Sequence, residues 1–132
     1  MIIKKGLKVS LVFKEESYAI RGAIFEVYKE LGSGFLEAIY QECLEKEFQD
    51  RGVPFVSQPI LQVKYKGVKL EQFYKPDFIC YNKIIIELKA VKEIIPEHRA
   101  QLINYLKISE LKLGVLVNFC AYPKVDVERY VI

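Results

Sequence analysis

The sequence contains no tryptophan and few of the residues on which several common kinds of site depend. It has one histidine, His98, which excludes a histidine-rich metal site, and no serine or cysteine is spaced to suggest a nucleophilic triad. We expect His98 to be a surface residue rather than a ligand. The three cysteines are well separated, lack a Cys-x-x-Cys pair and stand among apolar residues: Cys43, Cys80 and Cys120. This usage predicts reduced core thiols in an intracellular protein, not disulfides or a zinc site.

Long apolar runs and an excess of one charge are also missing. No run approaches the roughly 18 residues of a membrane span. The N-terminal stretch is interrupted by Lys8 and Lys14 and has no small-residue cleavage site, so we expect a cytoplasmic protein without a signal peptide. Lysine and arginine number 20 against 17 aspartates and glutamates, a net charge of +3. That charge permits a nucleic-acid partner without indicating one.

The length of 132 residues, 52% of them hydrophobic, is enough for a single domain over residues 1–132 with a proper core. Apolar residues at three- and four-residue steps predict a helix from Glu15 to Leu31 and a second from Leu36 to Arg51. A Gly-Ser-Gly turn at 32–34 separates them. The predicted core-facing stripes are Ile20, Ile24, Val27 and Leu31 in the first helix, and Leu36, Tyr40, Cys43, Leu44 and Phe48 in the second.

From Phe55 onwards the hydrophobic period changes to two, which is typical of strands. An edge strand is also predicted over residues 7–13, and a third helix follows the strands, with Pro96 at its first position. The predicted order is two helices, a meander of strands, a helix and further strands, an α/β (α+β) arrangement. The later predicted segments are strands at Leu61–Tyr65, Val68–Tyr74, Leu113–Phe119 and Val125–Ile132, with the helix at Pro96–Ser109.

Two adjacent strands around residues 75–89 carry the most informative pattern. The run Ile84–Ile86 should be buried, and it leads into Glu87 and Lys89, which point to the same side of a strand. A three-residue hairpin loop would place Asp77 directly beside Glu87. A two-residue loop would turn Asp77 to the opposite face, so a slip of one residue decides whether these groups meet.

Two carboxylates that converge with a lysine suit a hard divalent cation with oxygen ligands, such as Mg²⁺. The alternative is an ordinary one, because Asp after Pro is a common turn residue and Glu-x-Lys is frequent on surfaces. The buried isoleucine run favours the first interpretation. A charge at the end of a central strand usually faces a cleft.

Other polar residues could join this group. Glu37 borders the apolar stripe of the second helix, where a carboxylate needs a cation or hydrogen-bond donors, or else reaches solvent. Gln101 and Tyr105 are four residues apart and share one face of the third helix. They could both belong to the site, or Gln101 could be an ordinary flanking residue of the helix and Tyr105 a core residue. Lys64 and Lys66 share the solvent-facing side of a hairpin. They could contact phosphate groups, or they could simply be solvated lysines at a strand edge.

Three segments together resemble a known family. Residues 34–40, Gly-Phe-Leu-Glu-Ala-Ile-Tyr, fit the Gly-x-x-Glu-x-x-Tyr signature of the GxxExxY protein family. Pro76-Asp77 and Glu87-Leu88-Lys89 fit the Pro-Asp…(Asp/Glu)-x-Lys pattern of the restriction-endonuclease-like superfamily, to which that family is assigned. Residues 98–106 resemble the helix that follows this motif. The resemblance extends from about residue 20 to residue 119.

The resemblance implies a mixed central β-sheet flanked by helices, and a metal-dependent nuclease that hydrolyses phosphodiester bonds, in DNA rather than RNA. Asp77 and Glu87 would bind Mg²⁺ or Mn²⁺, with the Leu88 carbonyl as a further ligand and Glu37 completing the acidic cluster. Lys89 would orient the attacking water. Gln101, with Tyr105, would be the auxiliary polar group. Tyr105, like Lys64 and Lys66, would also contact the nucleic acid.

Two other hypotheses remain open. The chain could be a catalytically silent nucleic-acid-binding or protein-interaction module on the same fold, because it has no separate DNA-recognition domain and only a modest positive charge. A homodimer could supply the missing surface, with one chain for each strand of a duplex. The chain could also be a purely structural domain, and in that case metal would not change its melting temperature.

Overall fold

A computed structural model of the chain describes residues 12–132. These residues form three helices and seven strands. In chain order they are α1 (Lys14–Leu31), α2 (Glu37–Arg51), β1 (Phe55–Ser57), β2 (Leu61–Tyr65), β3 (Val68–Tyr74), β4 (Phe78–Cys80), β5 (Ile84–Lys89), α3 (Pro96–Ser109), β6 (Leu113–Asn118) and β7 (Asp126–Val131). Most of the predicted strand at residues 7–13 lies outside the described residues, and Val12 and Phe13 form a turn instead of a strand.

Five strands form a mixed central sheet in the order β1-β4-β5-β6-β7. Strands β5 and β6 run parallel, and the other neighbouring pairs are antiparallel. Helices cover both faces of this sheet, so the predicted mixed sheet flanked by helices is confirmed. The parallel pair needs a crossover connection, and α3 provides it.

The predicted meander was wrong in one respect, because β2 and β3 form a separate two-stranded sheet instead of joining the central one. The neighbour of β4 is β1, a strand that the sequence analysis did not identify. Its three residues lie between Pro54 and Pro59, which cannot donate backbone hydrogen bonds and so limit the length of a strand. So short a strand shows no measurable hydrophobic period.

The two faces of the sheet have separate cores. Alternate residues of β5, Ile84, Ile86 and Leu88, pack with α1 and α2, whereas Ile85 packs with α3. All four side chains are fully buried, as the apolar run predicted. Because side chains alternate along a strand, Glu87 belongs to the same face as Ile85, the face that α3 covers.

A glycine sets how closely α3 approaches this face. A Cβ added to Gly114 of β6 would lie 2.8 Å from Leu102 Cδ1 and 3.0 Å from Leu102 Cγ. Leu102 is fully buried and follows Gln101 directly in the helix. The missing side chain of Gly114 therefore lets α3 pack deeply enough to bring Gln101 to the sheet.

The helices agree with their sequence patterns, with one correction. Helix α2 begins at Glu37, and Leu36, predicted as the first residue of its buried stripe, precedes the helix and is 75% exposed. The Gly-rich turn carries Leu36 away from the core before the helical register starts. The residues that α2 does bury include Tyr40 and Phe48.

The three cysteines are unpaired. Cys80 is buried in β4, and this burial raises the pKa of its thiol to about 12, which keeps it protonated and unreactive. Cys43 and Cys120 are half-buried. Within residues 12–132, no helix combines the length and the apolar composition needed to cross a membrane.

Candidate active site

The β4–β5 hairpin has the loop on which the predicted site depends. Cys80 pairs with Ile84, so three residues, 81–83, form the loop. Tyr81 and Asn82 adopt left-handed conformations, with φ of 55° and 57°, and such a conformation is readily accepted by asparagine. Of the two loop lengths that the sequence left open, the structure has the three-residue loop.

This register brings Asp77 and Glu87 together at the end of β5. The Asp77 backbone N–H donates to Glu87 Oε1 at 3.1 Å, and the Leu88 backbone N–H donates to Asp77 Oδ2 at 2.7 Å. Each side chain therefore fixes the backbone beside the other. The second oxygens, Asp77 Oδ1 and Glu87 Oε2, take no part in these two bonds.

The acidic pair is costly to ionise. Burial raises the pKa of Glu87 to about 8, and the charge of Asp77 contributes to the shift. Burial also raises the pKa of Asp77, against the opposing effects of the Leu88 N–H and the Lys89 charge. The two carboxylates therefore share a site in which a bound cation would be strongly favoured.

Lys89 lies beside the pair and is held by α3. Its Nζ donates to Gln101 Oε1 at 3.1 Å and lies 3.9 Å from Glu87 Oε2. The Lys89 side chain is 16% exposed, so the ammonium group faces a partly enclosed space and not bulk water. The structure thus brings together four of the predicted site residues: Asp77, Glu87, Lys89 and Gln101.

Glu37 approaches the same place from the first turn of α2. The residue as a whole is exposed, which agrees with the alternative that its side chain reaches solvent from the border of the stripe. Partial burial of its carboxyl group and the charge of Asp77 raise its pKa, whereas Lys89 lowers it. Glu37 is therefore close enough to the acidic pair to interact with it through charge.

Tyr105 lies behind Gln101, one turn further along α3. Its side chain is only 3% exposed, which leaves little surface for the predicted contact with nucleic acid. Its ring packs edge-on against Tyr74 at 5.3 Å between centroids. Burial first, and then the charges of Glu87 and Asp77, raise the pKa of Tyr105, while a hydrogen bond with Gln101 lowers it. Tyr105 therefore supports the site from within the core.

The remaining predicted residues lie further away. Lys64 and Lys66 are exposed on the β2–β3 hairpin, near and within its turn. His98 is half-buried, and its Nδ1 accepts the backbone N–H of Ile95 at 3.2 Å. His98 thus caps the start of α3 instead of lying free on the surface. Burial lowers its pKa, as does the charge of Lys89.

Two polar residues near the site were not predicted. Gln41 Nε2 donates to the backbone oxygen of Asp77 at 3.1 Å and to Ser57 Oγ at 3.0 Å, and so ties α2 to the acidic pair. Its position four residues after Glu37, on the same helical face, was the available signal. Glutamine is common on helix surfaces, which made that signal weak.

The second is Asn118, buried at the end of β6 opposite Lys89. Its side chain accepts the Val91 N–H at 3.1 Å, donates to the Val91 oxygen at 2.9 Å and accepts the Cys120 N–H at 3.1 Å. These bonds fix the chain just beyond Lys89. A lone asparagine that closes a continuous apolar strand was the signal in the sequence.

Tyr40, the tyrosine of the Gly-x-x-Glu-x-x-Tyr pattern, has a structural place in the fold. Its hydroxyl donates to the Gly32 oxygen and accepts the Phe35 N–H at 3.3 Å. Its ring stacks on Phe119 at 4.4 Å and 5°. The Phe119 N–H in turn donates to the Lys89 oxygen at 2.9 Å. Tyr40 thus joins the glycine-rich turn before Glu37 to the strand end that carries Lys89.

Replacing Tyr40 by phenylalanine should reduce the free energy of unfolding by about 1–2 kcal/mol, because the turn loses two hydrogen bonds while the ring stack remains. Urea denaturation, followed by far-ultraviolet circular dichroism, measures the change. The matched control is Tyr18→Phe, since Tyr18 is 81% exposed and should be neutral to substitution. Equal stabilities for the two variants would contradict the role assigned to the Tyr40 hydroxyl.

The donors present suit a magnesium-like cation. Within residues 12–132, no group of three or more His, Cys, Asp and Glu side chains is arranged to hold a metal ion. The acidic pair offers two carboxylates, and Mg²⁺ is commonly held by one or two carboxylates together with water and substrate phosphates. The all-oxygen chemistry and the unfavourable ionisation of Asp77 and Glu87 fit such an ion.

Comparison with known proteins identifies one relationship. A family model described as the PD-(D/E)XK nuclease superfamily matches residues 14–130, nearly the whole described chain. No curated protein and no solved structure matches the sequence significantly. The match covers the superfamily motif and does not test membership of the GxxExxY family, which stays a prediction from the sequence.

Proposed function

Since the chain belongs to the PD-(D/E)XK nuclease superfamily, we propose that it is a metal-dependent nuclease that hydrolyses phosphodiester bonds. The observation that carries the proposal is the reciprocal bonding of Asp77 and Glu87, with the Lys89 ammonium group 3.9 Å from Glu87 Oε2. Two carboxyl groups and an ammonium group that meet at one strand end suit the hydrolysis of a phosphodiester bond.

The site residues have separate roles in the proposed reaction. Asp77 and Glu87 would hold the cation, with the Leu88 carbonyl and Glu37 as further oxygen donors. Bound there, Mg²⁺ or Mn²⁺ supplies Lewis-acid polarisation of the phosphate and activation of water.

The proposed role of Lys89 requires its ammonium group to be held in a fixed position. Its ammonium group donates to the attacking water and stabilises the charge that develops on the phosphate oxygens. Gln101 holds Nζ at 3.1 Å and limits its rotation, so Lys89 is already oriented before substrate arrives. Asn118 restrains the backbone on the far side of the same residue.

Several finer features belong to the same proposal. We propose DNA in preference to RNA as the substrate, a single domain over residues 1–132, and a cytoplasmic location. A homodimer would place one acidic pair on each strand of a duplex. Lys64 and Lys66 would contact the phosphate backbone, because lysine attracts phosphate whatever the base sequence of the nucleic acid.

The second candidate is a catalytically silent nucleic-acid-binding or protein-interaction module. The observation that favours it is that backbone N–H groups already satisfy one oxygen of each carboxylate, so the pair can persist as a structural element. Such a module would bind nucleic acid without metal and would not cleave it.

Calorimetric titration of Mg²⁺ and Mn²⁺ into the wild type and Asp77→Asn separates the two. A nuclease should show saturable binding that the variant loses or weakens at least about tenfold, and cleavage of DNA or RNA that depends on the added metal. The matched control is Asp50→Asn, because Asp50 is exposed on α2 and far along the helix from Glu37. Metal-independent binding of nucleic acid without cleavage would instead establish the silent module.

A further inference from the structure

The β2–β3 hairpin is a basic segment of the part of the chain that the structure describes. Residues 61–75 contain four lysines, Lys64, Lys66, Lys69 and Lys75, and one acidic residue, Glu71. Their net charge is +3, whereas the rest of residues 12–132 carries a net charge of −3, and residues 1–11 carry a further +3. Within residues 12–132, a long anion is therefore attracted mainly to the hairpin.

The hairpin has two different faces. Leu61 pairs with Tyr74, and this face packs onto α3, where Tyr74 meets Tyr105. Gln62 pairs with Phe73, and Lys64 pairs with Lys69. A bulge separates these two pairs, with residues 70–72 of β3 opposite Val63 of β2. Because the extra residues lie in β3, side chains still alternate along β2, and paired residues share a face. Phe73, Lys64 and Lys69 therefore lie together on the opposite face, away from α3.

That outward face exposes an aromatic ring among the lysines. Phe73 is 51% exposed, and Lys64 and Lys69 are exposed beside it. At the tip of the hairpin, Tyr65 is 62% exposed, and the Lys66 ammonium group lies 5.5 Å from the centre of its ring. Exposed rings interleaved with lysines are the composition of surfaces that bind single-stranded nucleic acid, where bases stack and phosphates meet ammonium groups.

The hairpin leads along the chain into the candidate active site. Phe73 precedes Asp77 by four residues, so the two Cα atoms are at most about 14 Å apart. The inner face of the same hairpin contacts Tyr105, which hydrogen-bonds to Gln101. A strand that follows the outward face would therefore reach the acidic pair within a few nucleotides.

We propose that the outward face of the β2–β3 hairpin binds unpaired nucleotides, with a base stacked on Phe73 and phosphates bound by Lys64 and Lys69. The proposal rests on the proposed nuclease function and names its substrate class. The preferred substrate carries a single-stranded segment next to the bond that is cut. A fully paired duplex buries its bases and cannot use Phe73 in this way.

A second copy of this chain fits the face less well. A two-fold interface places the same patch of both copies together, so two hairpins of charge +3 would meet. Like charges at such an interface are unfavourable. Nucleic acid is the occupant with complementary charge.

The absence of tryptophan gives a direct test. In an Asp77→Asn background, which prevents cleavage, Phe73→Trp introduces a single indole at the proposed stacking position. Its fluorescence should be quenched saturably by a single-stranded oligonucleotide, with a blunt duplex binding at least about tenfold more weakly. Tyr18→Trp, at an exposed position on α1, is the control and should not be quenched.

Two further variants measure the separate contacts. Phe73→Ala should weaken single-strand binding by about tenfold or more. Lys64→Gln combined with Lys69→Gln should lower the slope of log affinity against log salt by about 1.4, since each phosphate contact to a single strand contributes about 0.7. The charge control is the pair Lys29→Gln and Lys46→Gln, both exposed on helices.

The outcomes distinguish this inference from the proposed function. If the oligonucleotide binds without quenching the indole at position 73, and Phe73→Ala keeps the wild-type affinity, the proposed binding of unpaired nucleotides by the outward face is overturned. The nuclease proposal is not affected by that result. Absence of any binding to single-stranded, partly paired or fully paired DNA or RNA overturns both. Sedimentation equilibrium could instead show a dimer that Phe73→Ala dissociates. That result would assign the outward face to a second copy of the chain and would overturn the proposed nucleotide binding.

Discussion

Replacing Lys89 by methionine should lower the rate of phosphodiester cleavage by roughly 10²–10³-fold, the scale of losing one charge-stabilising donor in an active site. Methionine keeps most of the length and the apolar stem of the side chain, so the fold should persist. It removes the ammonium group that Gln101 holds at 3.1 Å. Single-turnover kinetics under saturating metal report the chemical step directly.

Binding measurements show whether the loss is chemical. The two carboxylates are intact in this variant, so metal should still bind, and oligonucleotide affinity should change little. Lys92→Met is the matched control, because Lys92 is exposed three residues further along the chain and should retain the wild-type rate. If Lys89→Met cleaves as fast as Lys92→Met, cleavage does not take place at this strand end.

Replacing Glu87 by glutamine should stabilise the metal-free protein at neutral and alkaline pH while abolishing cleavage. The carboxylate is buried beside Asp77, and its pKa is raised to about 8. A glutamine has nearly the same shape, can still accept the Asp77 N–H, and can donate to the Asp77 carboxylate. The free energy of unfolding should rise by about 2 kcal/mol, or roughly 6–10 °C in melting temperature.

The direction of the pH dependence follows from the raised pKa. Between the ordinary value of 4.5 and about 8, the folded protein keeps a proton on Glu87 that the unfolded chain has released. The free energy of unfolding therefore falls as pH rises through this window. Glu87→Gln removes this contribution, so the stability difference between variant and wild type should grow from pH 5 to pH 8.

Thermal melts in chelator across this pH range measure the effect, and Glu93→Gln, at an exposed position, controls for loss of a charge alone. Added Mg²⁺ should reverse the order. It should stabilise the wild type by about 2.7 kcal/mol at 100 times its dissociation constant and leave Glu87→Gln nearly unchanged. A wild type that melts above Glu87→Gln at pH 8 in chelator would contradict the assigned cost of this carboxylate.

The sequence reduced the placement of the acidic pair to one choice, which the structure then decided. Asp77 and Glu87 are ten residues apart in one hairpin, and a single choice of loop length decides their pairing. Local periodicity likewise located the three helices, because each buries apolar residues that recur at three- and four-residue steps.

What the sequence did not reveal depends on contacts between distant segments. The local sequence pattern does not indicate which strand edges pair with each other. It therefore did not predict that the β2–β3 hairpin is separate from the central sheet, or that β1 pairs with β4. Gln41 and Asn118 act through hydrogen bonds to backbone 36 and 27 residues away. Their residue types are ordinary, and only tertiary structure gives them a role.

The parallel pairing of β5 with β6 also bears on the order in which the site forms during folding. The acidic pair lies in a local antiparallel hairpin, whereas the restraints on Lys89 come from Gln101 of α3 and, through the backbone, from Asn118 and Phe119 across the parallel ladder. Contacts between distant segments form late because loop closure precedes them. We therefore expect the folding chain to acquire its paired carboxylates before it acquires a fixed lysine, so that affinity for metal precedes competence to cleave.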